Sequence, residues 1–308
     1  MVSDATRRAV LQAAERAEYR PNLLARSLRK QQAHTIVVLV PGLENPFFPE
    51  IIRGTESAAR ERGYSVLLGL TLNDEAVETS YVDLVHNQRA DGILILDGGL
   101  KHLLGSDMRF LVPSVQVVER LPDVDLPWVG IDDRAASTKA VRHLLDLGHQ
   151  RIGHIAGLKR YSVTPDRIRG YREALRAAGI AFDPALVAAG DFTLAGGEAA
   201  AQKLMALPKP PSALFCGNDT SALGALRHIR SLGLRVPQDV SVVGFDDIQL
   251  AATAEPPLTT LRQPRFAIGV AAMTLLLDIL AGAPGIQTQL TLPVDMILRE
   301  STAPPRGR

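Results

Sequence analysis

The sequence predicts an α/β protein built from two Rossmann-like lobes, each containing a doubly wound parallel sheet. Short apolar strands alternate with amphipathic helices from Thr35 almost to the end of the chain. Repeated strand–helix units of this kind form parallel sheets with right-handed crossovers. The 308 residues contain too many such units for one compact sheet, and a chain of this length suits two lobes.

The individual elements follow from runs of aliphatic residues for strands and from apolar residues at helical spacing for helices. Strands are predicted at 36–40, 66–70, 92–96, 114–118, 129–131, 152–155, 187–189, 213–216 and 241–245. Helices are predicted at 49–62, 135–147, 167–178 and 219–232.

The clearest unit is the last one, a strand, a helix and a second strand between Ala213 and Asp247. Asn218 and Asp219 follow its first strand, and Asp246 and Asp247 follow its second. Ligands bind at the carboxyl ends of parallel strands, because helix N-termini converge there. This unit is therefore predicted to supply both core and half of a binding site.

Composition excludes several classes of protein. Cys216 is the only cysteine, which excludes an internal disulfide and favours a reducing compartment. No apolar run approaches the roughly 18 residues of a membrane helix. The polar start from Met1 to Arg8 lacks the apolar region of a secretory signal. We therefore expect a cytoplasmic protein without a membrane partner.

Positive charge is concentrated at the amino end, although the net charge of the chain is only +1. The first 30 residues hold seven basic and three acidic side chains. Ser3 can cap a helix from Asp4 to about Ala17, and Asn22 can cap a second helix from Leu23 to about Arg29. The second helix is either a basic linker with a packed leucine or a DNA-contacting element.

Candidate ligand residues are polar or aromatic side chains that lie just beyond a predicted strand. Carboxylates and amides accept hydrogen bonds from hydroxyl groups, guanidinium groups donate to vicinal oxygens, and phenyl rings cover the apolar face of a sugar. Each also has a structural interpretation: helix capping or turn formation for the acidic residues, an interlobe salt bridge for the arginine, and core packing for the aromatic residues. The set comprises Asn45, Phe47, Phe48, Asp97, Glu119, Asp132, Arg167, Phe192, Asn218 and Asp246.

Two stretches, CGNDTSALGALRHIRSLGLRVPQDVSVVGFDD and PPLTTLRQP, resemble the effector-binding domain of the LacI/GalR family of bacterial transcription regulators. The resemblance extends from Val2 to Arg299. It implies a fold like that of type I periplasmic binding proteins, in which the chain crosses between lobes near Ile131, Leu261 and Leu290. The amino lobe would then comprise 35–131 plus 262–288 and the carboxyl lobe 132–261 plus 289–300, followed by a frayed tail at 301–308.

The amino end resembles the DNA-binding headpiece of the same family. VSDATRRAVLQAAERAEYRPN matches the third helix of its helix-turn-helix, so residues 1–30 are interpreted as a partial headpiece and hinge helix whose first two helices are absent. The segment ARSL matches the hinge helix, in which a paired leucine enters the minor groove. The resemblance thus assigns DNA contacts to Arg26, Ser27, Leu28 and Arg29, with Leu28 as the wedge.

The resemblance also selects effector contacts from the candidate set. Glu119 occupies a position that is usually aspartate, and its extra methylene affects the size or orientation of the ligand. Tyr161 and Val163 replace polar groups of purine-responsive relatives, which favours a carbohydrate effector. Together with Asp132, which is chosen only because it follows the predicted strand at 129–131, the predicted effector residues are Phe47, Phe48, Glu119, Arg167, Phe192, Asn218 and Asp246.

The sequence lacks the spacings of common catalytic, nucleotide-binding and metal-binding motifs, so we predict neither an enzyme nor a cofactor. The favoured function is an effector-responsive, homodimeric repressor that binds operator DNA. Two alternatives share the bilobal fold: a periplasmic sugar-binding protein of a transporter, and a cytoplasmic ligand sensor without operator specificity.

Overall fold

Two parallel sheets organise the chain in the computed structural model, which describes residues 3–16, 32–72, 74–98, 112–120 and 125–306. The α/β fold with two doubly wound lobes is confirmed. The predicted hinge helix, with the DNA-contact residues Arg26, Ser27, Leu28 and Arg29, lies outside the described residues. No helix of the described ranges is long and apolar enough to span a bilayer.

The amino-lobe sheet has six parallel strands within the described residues: β1 (Thr35–Val40), β2 (Ser65–Leu70), β3 (Gly92–Ile95), β4 (Ser114–Val117), β5 (Trp128–Ile131) and β11 (Gln289–Leu292). They lie side by side in the order β11-β5-β4-β3-β1-β2. The inner strands β1 and β3–β5 are buried on both faces, as expected for a parallel sheet covered by helices. The helices are α2 (Phe48–Glu61), α3 (Glu75–His86) and α9 (Arg265–Leu280).

Helices α2 and α9 pack against each other at short range. A Cβ atom at Gly269 of α9 would lie 2.1 Å from the carbonyl oxygen of Ile51 in α2, so only glycine permits this approach. The contact fixes the first residue of α9, Arg265, beside the loop that precedes α2.

The carboxyl-lobe sheet consists, in the described part of the chain, of four parallel strands: β6 (Ile152–Ala156), β7 (Val187–Ala189), β8 (Ala213–Cys216) and β9 (Ser241–Val243). They lie side by side in the order β7-β6-β8-β9. The unit between Ala213 and Asp247 is confirmed as strand, helix and strand, although its second strand ends at Val243. The helices are α4 (Asp133–Asp146), α5 (Val163–Ala177), α6 (Leu194–Met205), α7 (Asp219–Ser231) and α8 (Gln249–Thr253), with a 3₁₀ turn at Pro184–Leu186.

The chain crosses between the lobes after β5 and again through two short paired strands, β10 (Thr260–Arg262) and β12 (Asp295–Ile297). The predicted crossing near Leu290 is wrong by a few residues. Leu290 pairs with Val129, which places all of β11 in the amino-lobe sheet rather than in the carboxyl lobe. A strand that crosses and a strand that pairs at a sheet edge show the same alternating pattern, so the sequence did not separate them.

The tail predicted to fray at 301–308 is ordered as far as residue 306, and that prediction is wrong. Ser301 is buried: its hydroxyl donates to the Val242 carbonyl at 2.6 Å and accepts from the Thr259 amide at 2.8 Å. The His149 Nε2 atom lies 2.9 Å from the Ala303 carbonyl oxygen. Small polar residues thus satisfy backbone groups beside β9 without an apolar anchor.

The helix predicted after Ser3 is confirmed as α1 (Asp4–Arg16). The Ser3 hydroxyl accepts from the Thr6 amide at 3.3 Å, as expected for an N-cap. Val10, on the predicted apolar face of α1, is 61% exposed, so the described residues leave this side chain uncovered.

Candidate functional site

A cavity of about 570 Å³ lies between the two lobes, beyond the carboxyl ends of the strands. Its volume and its mixture of aromatic and polar walls fall within the range of small-molecule sites. Loops from both sheets form it, as expected when parallel strands end at a common edge. Seven of the eight predicted effector residues line it: Phe47, Phe48, Glu119, Arg167, Phe192, Asn218 and Asp246.

Aromatic side chains form two facing walls. Phe47 and Phe48, at the start of α2, contact edge to face with ring centroids 5.4 Å apart. Phe192 and Tyr161, from the carboxyl lobe, have centroids 5.9 Å apart. The Phe192 ring lies over Gly157, where a Cβ atom would approach its Cζ to 1.9 Å. Each ring therefore packs against the protein with part of its surface, as the core-packing interpretation expects, and lines the cavity with the rest.

Arg167 is held rigidly by its own lobe. Its Nε donates to Asp133 Oδ1 at 2.7 Å, its Nη1 donates to the Gly217 carbonyl, and its guanidinium lies 3.8 Å from the Phe245 ring centroid. Asp133 lies in α4 of the same lobe, so the interlobe salt bridge considered for Arg167 does not form. These contacts fix the guanidinium plane and leave Nη2 to donate to a molecule in the cavity.

Asp246 reaches the cavity from a backbone in the left-handed region, with φ 112°. Its Oδ1 accepts from Gln263 Nε2 at 2.8 Å, and burial raises the pKa of its carboxyl to about 7. The Asp246 carboxyl can accept a hydrogen bond when ionised and donate one when protonated, and both suit a hydroxylated ligand.

Asn218 and Asp219 have structural partners of their own. Asn218 caps α7, accepting from the Ser221 amide at 2.9 Å, and its Nδ2 donates to the Phe192 carbonyl at 3.0 Å. Asp219 accepts from Thr260 Oγ1 at 2.5 Å and from the Ile248 amide at 2.9 Å. Asn218 thus positions Phe192 in addition to lining the cavity, whereas Asp219 lies behind the cavity wall.

Glu119 joins the two lobes across the edge of the cavity. Its Oε2 accepts from both the amide and the hydroxyl of Ser162, each at 2.7 Å, and Ser162 precedes α5 of the carboxyl lobe. Val118 holds a φ of 66°, which is rare for a β-branched residue and turns Glu119 toward this partner. Burial raises the pKa of Glu119 to about 7.

We expect Glu119→Gln to change how stability depends on pH. Between pH 4.5 and 7 the folded protein holds a proton at Glu119 that the unfolded chain has released, so stability falls as pH rises through this window. The Glu119→Gln variant does not undergo this loss of stability. The difference in free energy of unfolding between the variant and wild type should therefore shift in favour of the variant by roughly 1–3 kcal/mol from pH 5 to pH 8. Urea denaturation of both proteins at several pH values measures the difference.

Buried histidines have the opposite effect on the pH dependence of stability. Burial lowers the pKa of His154 to about 4, so this residue makes stability rise with pH. Their contribution is common to both proteins and cancels in the comparison. A stability difference that stays constant from pH 5 to pH 8 would show that Glu119 does not titrate in this range.

Asp132 does not line the cavity, and its predicted effector contact is not supported. Its side chain caps α4 by accepting from the Ala135 amide at 2.8 Å. The next residue, Asp133, points inward instead and anchors Arg167. Asp97, from the wider candidate set, is buried and accepts from the Thr71 hydroxyl outside the cavity lining.

Sequence reasoning missed further lining residues on the loops after β6 and β7. Arg160 donates to the Tyr161 hydroxyl at 3.1 Å and lies over that ring, and Thr193 caps α6. Their positions shortly after predicted strands are the sequence signal that could have identified them as cavity residues. Within the described residues, no group of three or more histidine, cysteine or acidic side chains is placed to hold a metal ion.

Comparison with known proteins identifies the family. A family model described as a periplasmic binding protein-like domain matches residues 141–302. The chain is 42% identical over 302 residues to the HTH-type transcriptional repressor CytR of Escherichia coli K12, covering 98% of this chain and 89% of that protein. It is 33% identical to a ribose operon repressor of Haemophilus influenzae, covering 97% and 90%.

Solved structures of similar proteins indicate the same family. The complex of the transcriptional regulator CelR with cellobiose has a TM-score of 0.80 at 32% identity, covering 98% of this chain and 92% of that one. A LacI family regulator from Enterococcus faecium with bound ribose has a TM-score of 0.78 at 28% identity, covering 88% and 99%. With the bilobal fold and the cavity between its sheets, these similarities show that the chain belongs to the LacI/GalR family and is a transcriptional repressor rather than an enzyme.

Proposed function

We propose that this repressor binds a carbohydrate or sugar-containing effector between its lobes, and that binding changes its affinity for operator DNA in the cytoplasm. The observation that carries the proposal is the cavity itself. Phe47 and Phe192 offer apolar faces to a sugar ring, while Arg167 and Asp246 offer a fixed donor and a carboxyl group to its hydroxyls.

The relatives support this class of effector. One structure holds ribose and another cellobiose, and two similar proteins are named ribose operon repressors. The cavity of about 570 Å³ has space for either size of sugar. We therefore propose a neutral sugar or a small glycoside, and we assign the effector contacts to the seven predicted residues that line the cavity.

DNA binding is proposed for the segment that precedes the amino lobe. The family resemblance assigns DNA contacts to Arg26, Ser27, Leu28 and Arg29, and residues 32–34 lead directly from this segment into β1. A change in the angle between the lobes would alter the spacing of two such segments in a dimer. Ligand binding and DNA affinity would thus be linked through the lobes.

We further propose a homodimer, because paired half-sites require two-fold symmetry. Leu232, after α7, and Leu250, in α8, are 50% and 52% exposed. Arg230 Nη2 donates to the Glu255 carbonyl at 2.7 Å and ties these two segments together. This pair of leucines is a candidate for the centre of the dimer interface.

Glutamate at both Leu232 and Leu250 is expected to dissociate the dimer, because burying two added charges in an apolar interface costs several kcal/mol. Sedimentation should then give the 33.2 kDa monomer. Leu298→Glu is the matched control, since Leu298 is 64% exposed in a different part of the molecule. A double variant that sediments like wild type would place the interface elsewhere.

The function is tested by two linked assays. A thermal-shift screen of D-ribose, cellobiose and other neutral sugars should find a ligand that stabilises the protein by about 2–3 kcal/mol at a hundredfold excess over its Kd. Genomic DNA fragments retained by the protein should change in affinity when that sugar is added. Sugar binding without retention of any specific fragment would favour the ligand sensor without operator specificity, and a failure of both assays would contradict the proposed function.

A further inference from the structure

Asp247 follows the cavity residue Asp246 and binds three arginines, which lie at the end of β10, at the start of α9 and just beyond β12. Its Oδ2 accepts from Arg262 Nε at 2.7 Å and its Oδ1 from Arg299 Nη2 at 2.6 Å. Its main-chain carbonyl accepts from Arg265 Nη2 at 2.8 Å. The Asp247 carboxylate is only 8% exposed, so these pairs are shielded from solvent on its side.

The three arginines lie where the chain passes between the lobes. Arg262 ends β10, and Arg299 lies two residues beyond β12, the strand that pairs with β10. Arg265 is the first residue of α9, which belongs to the amino lobe. Asp247, from the carboxyl lobe, therefore holds both crossing strands and one helix of the opposite lobe. We call these four residues the Asp247 clamp.

Arg265 also links the clamp to the other cavity wall. Its Nη1 donates to the carbonyl of Pro46 at 3.2 Å, directly before Phe47. The two ends of one guanidinium therefore bind the backbone beside Phe47 in the amino lobe and beside Asp246 in the carboxyl lobe. A displacement of either wall changes the geometry of the same side chain.

The backbone at this point is strained. Asp246 has a φ of 112° and Asp247 a φ of 55°, two consecutive non-glycine residues in a sparsely populated region. Such conformations persist only where surrounding contacts hold them. The strained pair directs the Asp246 carboxylate to the cavity and the adjacent Asp247 carboxylate to the crossing strands.

We propose that the Asp247 clamp sets the angle between the lobes and transmits effector contact at Asp246 to the crossing strands. Asp247 is a positioning residue: it lies outside the cavity lining and acts through Asp246 and the arginines. The restraint of the lobes follows from the clamp alone, whereas the transmission step rests on the proposed effector site.

Spin labels on opposite lobes test the restraint without a ligand. Cysteines replacing Glu61 in α2 and Gln202 in α6 are exposed, whereas native Cys216 is fully buried and unreactive to labelling reagents. Double electron–electron resonance should give a distance distribution about twofold broader in Asp247→Asn than in the labelled parent. Asp239→Asn is the matched control, because Asp239 also binds two arginines, Arg235 and Arg306, but within the carboxyl lobe.

Arg265→Gln provides a second variant in case Asp247→Asn folds poorly. It removes the link to the amino-lobe helix α9 and leaves the two side-chain pairs of Asp247, with Arg262 and Arg299, in place, so it should also broaden the distribution. Parent-like widths in every folded variant of this pair would overturn the proposal. A similar broadening in Asp239→Asn would also overturn it, because the effect would then be general.

D-ribose serves as the probe for transmission. If it binds the labelled parent, Asp247→Asn should bind it within about threefold of the same Kd but show no change in interlobe distance on binding. An unchanged distance response in Asp247→Asn would reject the transmission step. If ribose does not bind the parent, the same comparison is made with the neutral sugar that gives the largest thermal shift. The absence of any binding sugar would overturn the transmission step together with the proposed function, while the ligand-free comparison decides whether the clamp restrains the lobes.

Discussion

Replacing Arg167 with methionine is expected to destabilise the folded protein by roughly 3–5 kcal/mol, because it leaves the buried Asp133 carboxylate without its partner. Both side chains of this pair are about 5% exposed, so solvent offers little compensation. Arg167 also loses its donation to Gly217 and its contact with the Phe245 ring. Urea denaturation at pH 7 measures the change.

The double variant Arg167→Met, Asp133→Asn separates the causes. Removing both charges should recover most of the stability, since replacement of a whole buried pair is often neutral. Effector binding should be lost in both the single and the double variant, because methionine offers no donor to the cavity. A single variant within about 1 kcal/mol of wild type would show that Asp133 does not depend on Arg167, as when its buried carboxyl takes up a proton instead.

Replacing Asp246 with asparagine is expected to weaken effector binding by roughly 10- to 100-fold while leaving the fold intact. Asparagine has the same shape and keeps an acceptor for Gln263, but it removes the charge-assisted hydrogen bond that the ionised carboxylate makes above pH 7, which is worth about 1.5–3 kcal/mol. Because burial already raises the pKa of Asp246 to about 7, a neutral amide at this position should cost little stability. Calorimetric titration with the sugar that gives the largest thermal shift measures the affinity.

Asp191→Asn is the control for this experiment. Asp191 also lines the cavity, but its Oδ1 is engaged by the Thr193 amide at 2.9 Å and by the Thr193 hydroxyl at 2.6 Å. Its replacement should change the affinity by no more than about threefold, since its carboxylate already has local partners. Equal effects at Asp191 and Asp246 would indicate a general electrostatic influence of the cavity rather than a contact at Asp246.

The sequence predicted the parts of the site that local pattern determines. Asp246 follows β9, and Arg167 lies in the first half of α5, the helix that follows β6, so both come from segments that converge at the carboxyl edge of a parallel sheet. Their partners were harder to predict. Ser162 meets Glu119 only because two lobes approach each other, and Asp133 rather than Asp132 points inward because the first acidic residue caps α4. Neither the Glu119–Ser162 contact nor the direction of Asp133 can be predicted from the local pattern of apolar and polar residues.

The two errors in the predicted fold have a similar cause, because both concern contacts between residues that are far apart in sequence. The alternating residues of β11 suit either lobe, and only pairing with β5 across more than 150 residues of chain decides between them. The last ordered residues lack apolar side chains and resemble a tail. They are held by hydrogen bonds to β9 and to His149, which the sequence pattern does not reveal.

Hydrogen–deuterium exchange, with and without the sugar that gives the largest thermal shift, tests most directly whether the effector binds between the lobes. If the effector binds there, backbone amides on both sides of the cavity should be protected: those of residues 41–48 in the amino lobe and those of 158–167, 190–194 and 245–247 in the carboxyl lobe. Protection confined to one lobe, or to the groove formed by α9 and residues 283–292, would contradict this prediction.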